Sequence, residues 1–265
     1  MDLDKLDHKI YKWLEQHGYP LELRIAKIIQ ENGYDVTQSL NYEDPEVGGL
    51  REIDIIGFKY KNVGNVWFTF SMVVECKSSK KYPWIMFASK DKFLYDASLY
   101  KGRYASNNGQ LLINKLKKQN LLEELNFFKI NELRGFNLIR ALTNGGKDAA
   151  YTAIKSVTKA SEALVLRSNN SFDAICRIYF PVIVIDNRLF ECYLDDNSEM
   201  KLKETGHSQL ILSQAKNANK WQIIDVVTED YFTKWIQLLN ESIEEIYENH
   251  EDLLEEVSNE KPTNP

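Results

Sequence analysis

Long apolar runs are missing from this chain of 265 residues. None approaches the roughly 20 residues that a membrane-crossing helix needs, so no helical span and no membrane partner are expected. Cysteine is scarce: Cys76, Cys176 and Cys192 are the three, and they form no CxxC pair. That spacing argues against a disulfide framework and a structural zinc site, and it points to a reducing compartment, the cytoplasm. The four histidines, His8, His17, His207 and His250, are dispersed and show no metal-ligand spacing. Gly48-Gly49 and Gly145-Gly146 lack the strand–loop–helix setting of a phosphate-cradling loop. No nucleophile elbow and no internal repeat are visible. The acidic first residues read as the start of a helix, not as a signal peptide. What remains is a chain with 43% hydrophobic and 12% aromatic residues, enough for a sizeable core in one large domain or two small ones.

The most informative segment is 67–77. Side chains alternate across a strand. Phe68, Phe70, Met72, Val74 and Cys76 therefore share one apolar face. Thr69, Ser71, Val73, Glu75 and Lys77 share the other, which becomes charged only at its C-terminal end. Upstream, 51–58 is a second short apolar strand with Asp54 in its middle. A hairpin turn at 61–65 links the two. Two carboxylates and a lysine on adjacent strands can hold a divalent metal against a phosphate. Two further acid-x-Lys triplets, 7–9 and 199–201, follow no apolar strand and carry no such context.

Asp54, the twenty residues after it, and Glu75-Cys76-Lys77 at the end of an apolar run together resemble the PD-(D/E)xK nucleases, the restriction-endonuclease-like superfamily. Glu22, on the helix before these strands, matches the acidic helix residue that many members carry. The resemblance covers about the first third of the chain. It implies an α/β fold in which helices flank a central mixed sheet, and metal-dependent hydrolysis of nucleic-acid phosphodiester bonds, with DNA the first expectation and bacterial defence one setting. Asp54 and Glu75 would bind Mg²⁺, or Mn²⁺ in its place, through carboxylate oxygens. The Cys76 carbonyl and Glu22 would complete the metal set. Lys77 would orient the water and stabilise charge on the phosphoryl oxygens. Glu22 also has a plainer reading, as a surface residue paired with Lys27 or Arg24. The alternative function is a nuclease fold without catalysis that binds nucleic acid or a partner protein.

Charge is unevenly spread. Residues 77–118 hold ten basic and two acidic residues, whereas 229–265 hold eleven acidic and two basic ones. The basic block is the expected nucleic-acid face, with Lys80, Lys81, Lys90 and Lys92 as candidate phosphate contacts. Its aromatics, Tyr82, Trp84, Phe87, Phe93, Tyr95, Tyr100 and Tyr104, are either stacking platforms or core, and core is the commoner fate.

Elsewhere the pattern predicts a helix over 2–17 stopped by Gly18, a second ending near Asn32-Gly33, a strand over 35–42, and a helical segment at 110–119. A helix over 148–166 follows, with Lys155 and Lys159 solvated. Residues 179–185 and 189–194 read as a hairpin about Asp186-Asn187, a turn that accounts for Asp186 without a metal role. Strands at 209–213 and 222–227 come next, with Asp225 at a solvent-facing edge. The organisation expected is a single domain over 1–265, with a helical insertion at 85–148 and an acidic C-terminal helix and tail over 228–265. That helix has an apolar stripe that needs a cover, from the chain's own sheet or from a second subunit, and a homodimer is the expected assembly.

Overall fold

The computed structural model describes residues 3–44, 48–79, 81–90, 100–143, 148–171, 174–213 and 221–260. It is an α/β protein built on one mixed sheet of eleven strands with seven helices among the described residues. The helices are α1 (Leu3–Gln16), α2 (Tyr19–Glu31), α3 (Asn107–Lys118), α4 (Leu121–Glu124), α5 (Ala149–Asn169), α6 (Glu229–Asn249) and α7 (Glu251–Asn259). The strands are β1 (Asp35–Glu43), β2 (Leu50–Val63), β3 (Val66–Lys77), β4 (Trp84–Ser89), β5 (Tyr104–Ala105), β6 (Arg134–Arg140), β7 (Ile175–Ile185), β8 (Leu189–Leu194), β9 (Met200–Thr205), β10 (His207–Ser213) and β11 (Trp221–Thr228). Their order is β1-β2-β3-β7-β11-β10-β6-β4-β8-β9, with β5 alongside β7.

The centre of the sheet is covered on both sides, as its composition requires. In β7, Ile178, Phe180, Val182 and Val184 enter one core with α2, α3, α6 and α7. Tyr179, Ile183 and Ile185 enter a second core with α5. A strand buried on both faces reads as a continuous apolar run, and 178–185 is one. β3 lies parallel to β7 along its length, from Trp67 opposite Ile175 to Lys77 opposite Ile185. β1, β2 and β3 form an antiparallel meander. The β2–β3 turn tightens to Gly64-Asn65, with Gly64 at φ 59° where a side chain would be strained.

Several sequence expectations are corrected. Residues 85–148 are not a helical insertion: they supply β4, β5 and β6 to the sheet, with α3 and α4 between. The hairpin about Asp186-Asn187 is absent. β7 pairs with β3 and β11, and β8 pairs with β4 and β9, so the turn starts a crossover. Asp225 is buried at 2% exposure on a strand between β7 and β10, not on an edge. Lys159 is also buried, and both Asp44 oxygens accept from it at 2.9 Å. The stripe of α6, with Phe232, Trp235, Ile236 and Leu239, is covered by the chain's own core. The acidic segment after it forms α7, which buries Leu253, Leu254 and Val257.

The far end of the sheet curls. Only Gly206 separates β9 from β10, yet β9 is the last strand beyond β8 and β10 lies beside β11. The run β10-β6-β4-β8-β9 therefore bends back on itself. The Ser208 hydroxyl on β10 spans the bend and donates to Glu191 on β8 at 2.8 Å.

Candidate active site

Asp54, Glu75 and Lys77 lie where β2 begins and β3 ends, and Glu22 is near enough for its charge to act on them. Asp54 stands in the register position opposite Glu75, but the β2–β3 ladder stops one step short, at Ile55 opposite Val74. The Asp54 side chain replaces the missing rung: its Oδ2 accepts from the Cys76 backbone N–H at 2.7 Å. That bond places a carboxylate at the mouth of the opened strand pair. Glu75 is buried at 6% exposure, and its carboxylate accepts a hydrogen bond from the Lys77 ammonium on the same face. Lys77 sits two residues on, as the period of a strand dictates.

Glu22 reaches the same place from the first turn of α2. Gly18, at φ 83°, lets the chain turn from α1 into α2, and it lies close to Ser78 just past Lys77. Neither plain partner of Glu22 is used. Arg24 forks onto Glu229, one of its bonds measuring 2.9 Å, and Lys27 faces Glu31 at 3.6 Å.

The electrostatics of the group are unbalanced. Burial and the Glu75 charge push the Asp54 carboxyl up to about 7, against the Cys76 N–H that favours its ionised form. Burial, then Glu52 and Glu75, raises Glu22. For Lys77 burial works against the charged form, but Glu75 and Asp54 outweigh it and its pKa is raised. A lysine held cationic is a poor base and a good charge stabiliser. One ammonium, bonded to Glu75, thus stands near three carboxylates in a partly desolvated corner.

The donor set is hard oxygen, the kind that Mg²⁺ and Mn²⁺ prefer. Its arrangement is not a finished cage. Among the described residues no three His, Cys, Asp or Glu side chains converge on one ion position. Glu75 is turned to Lys77, and Asp54 to the Cys76 N–H. In kind and charge the residues fit a divalent cation. In position they do not, as they stand: no three of them close on one point.

Asp186 has a role that its turn sequence did not announce. At the end of β7, beside Lys77, it accepts from the Ser78 hydroxyl at 2.5 Å and from the Ser79 N–H at 2.6 Å. It fixes the chain as it leaves Lys77. The available signal was an acid directly after an apolar run that could pair in parallel with β3, because parallel strands bring their carboxyl ends together.

The expected nucleic-acid face is broken up. Lys81 is exposed beside the site's exit loop. Lys90 lies at the far end of β4, 3.8 Å from Glu132 and 3.7 Å from Asp196. Lys101 is buried against Asp225. Lys115 is taken by Glu256 and Glu260 of the C-terminal segment, and Lys117 by Glu123. Lys80 and Lys92, with Phe93 and Tyr95, lie outside the described residues. Trp84 and Tyr104 are core, whereas Tyr82 is half-buried beneath the Arg140 guanidinium at 5.8 Å.

Comparison of the chain with protein-family models, curated proteins and solved structures finds no match.

Proposed function

We propose that this chain is a metal-dependent phosphodiesterase of the PD-(D/E)xK kind, acting on nucleic acid and first of all on DNA. One observation carries the reading. Asp54 is driven up to about 7 by burial and by the charges of Glu75 and Glu22, while the neighbouring lysine, Lys77, is bonded to Glu75 alone. A fold gains nothing from gathering uncompensated carboxylates, and a bound divalent cation removes the penalty. Asp54 and Glu75 would hold Mg²⁺ or Mn²⁺, with the Cys76 carbonyl and Glu22 at its remaining positions. The ion would supply a polarised phosphate and a more acidic water. Lys77, kept cationic by Glu75, stabilises charge on the phosphoryl oxygens. Asp186 holds the 78–79 segment, and with it the position of Lys77. Lys81, with Lys80 before it in the chain, is the first candidate for flanking phosphates.

The test is cleavage of a plasmid and of a labelled single strand with Mg²⁺, with Mn²⁺ and with a chelator. Cleavage that needs the ion and disappears in Glu75→Ala supports the reading. Ion-independent retention of DNA without any cleavage would instead favour a nuclease fold used only for binding.

A further inference from the structure

The curled end of the sheet carries a feature unrelated to the carboxylates. On their inner side β4, β6 and β8 bury Trp84, Met86, Leu138 and Leu189. Residues between these positions must point outward. They are apolar: Ile85 and Phe87 on β4, Phe190 and Leu194 on β8, Met200 and Leu202 on β9. Register aligns them into one surface. Ile85 is opposite Phe190, Phe87 is opposite Cys192, Cys192 is opposite Leu202, and Leu194 is opposite Met200. A bulge after Phe87 adds Phe136 of β6, its ring 6.4 Å from that of Phe87.

This surface is open. Phe136 is 59% exposed, Leu194 62%, Met200 75% and Leu202 59%. No helix among the described residues lies along β4, β8 or β9. At these exposures the face presents on the order of 600 Å² of apolar surface, at the top of what monomers show and near the ~800 Å² per partner of a standard interface. Arg188, paired with Glu204, lies over the Phe190 ring at 4.8 Å and bounds one end of the face, and Lys201 pairs with Glu199 and Asp195. The face itself is built mainly from apolar side chains. The fitting partner is another apolar sheet face, and a second copy of the chain offers one of the same size.

We propose that a second copy of this chain covers this face, the two curled sheets packing face to face about a two-fold axis. Sheets pack in this way in sandwiches, and an isologous contact closes without leaving a free patch. The assignment is independent of the proposed nuclease activity. β3 and β8 are six strand steps apart in the sheet order, and no residue of the face belongs to the carboxylate corner.

The test is sedimentation equilibrium of the full chain from submicromolar to tens of micromolar, with no nucleic acid or metal needed. A dimer that dissociates on dilution is expected. L194K combined with L202K should be monomeric throughout, with unchanged circular dichroism and unchanged cleavage per chain. A wild type that is monomeric throughout would overturn the proposal, as would a folded double variant that still dimerises. Should the double variant fail to fold, Cys192 reports on the wild type, because it lies on this face while Cys76 and Cys176 are buried. Its alkylation rate should fall several-fold as protein concentration rises. A rate independent of concentration would remove the interface from this face.

Discussion

Two ionic clusters in this sheet are built on opposite balances of charge. Where β2 begins and β3 ends, Lys77 pairs with Glu75, and Asp54 and Glu22 add their charges to the same corner. Between β10 and β11, a single carboxylate, Asp225, is shared by two basic groups. Lys101 donates to it at 3.2 Å and His207 Nε2 lies at 2.7 Å. Lys101 also sits over the Phe127 ring at 4.0 Å. The second cluster is the more deeply buried, yet it is self-sufficient. Burial alone would raise Asp225, but Lys101 and His207 outweigh it and hold the carboxyl below its usual range, whereas burial outweighs Asp225 at Lys101 and lowers its pKa. Asp44, gripped by Lys159 and Arg51, follows the same rule. These two buried carboxylates are matched by cations within the chain, whereas buried Glu191 takes only a hydrogen bond from Ser208 and is raised by burial. At Asp54 the neighbouring charges Glu75 and Glu22 add to burial, and the proposal of an external cation rests on that crowding more than on the motif itself.

The largest expected effects are on cleavage. Asp54→Ala, Glu75→Ala or Lys77→Ala should each lower kcat at least ~100-fold, the scale set by removing one charge-stabilising group from a hydrolytic site. Stability should move the other way. Asp54→Asn keeps an acceptor for the Cys76 N–H and removes a repelled charge, so at neutral pH it should raise Tm. Wild-type activity in Glu75→Ala, or a Tm in Asp54→Asn lower by several degrees, would erase the distinction between the clusters.

The balanced cluster should respond as structure. Asp225→Ala leaves Lys101 buried without its carboxylate, and breaking such a pair costs about 3–5 kcal/mol. Urea denaturation should show that deficit, while cleavage per folded chain stays within experimental scatter. Replacing Lys101 and Asp225 together by Met and Leu should recover most of the stability. A similar cost for the single and the double variant would mean that the pair is not self-compensating.

Metal sharpens the contrast further. Mg²⁺ or Mn²⁺ at ~100 times its Kd should stabilise the wild type by about 2.7 kcal/mol, and a chelator should reverse this. Glu75→Gln should forfeit most of that gain, whereas Asp225→Asn should keep it. Calorimetric scans of the three proteins with and without ion decide the matter.

How much of this was legible in the sequence depended on the range of the interaction. The alternation of 67–77, Asp54 in its strand, and the start of α5 at Asp148 are local patterns, and each is found where the pattern puts it. The Asp148 carboxylate, for example, accepts from the N–H groups of Ala150 and Tyr151. Asp225 was misread because its neighbours are apolar and its partner Lys101 lies 124 residues away. Lys159 was misread for the same reason, its partner Asp44 being 115 residues distant. The strands of 85–148 escaped because β4 and β6 are short and the extra residue Phe136, at the register shift opposite Phe87 and Ala88, interrupts the alternation of β6. The supposed hairpin at Asp186 failed because turn chemistry fixes a change of direction, not the partner that a strand then finds. In the site itself, the carboxylates and lysine were readable from spacing. The role of Asp186 required knowing that β3 and β7 run parallel and end together.

The smallest expected effect separates a phosphate-binding lysine from a solvated one. Lys81 is exposed and follows the segment that Asp186 anchors, so it stands near the corner without joining its ion pairs. The Lys90, Lys101 and Lys115 side chains are engaged with carboxylates, so the net +8 of residues 77–118 overstates the charge free to meet a backbone. Replacing Lys80 and Lys81 by Ala should reduce the slope of log Kd against log salt by about 0.7–0.9 for each phosphate no longer neutralised. It should do so without changing base preference, because a lysine reads the phosphate and not the base. Lys115→Ala, which only frees Glu256 and Glu260, should leave that slope alone. Equal slopes for all three proteins, measured by anisotropy of a labelled oligonucleotide with a non-cleaving Glu75 variant as background, would move the substrate path away from the 78–82 loop. It would leave the charge imbalance at Asp54 as a metal site without a basic approach.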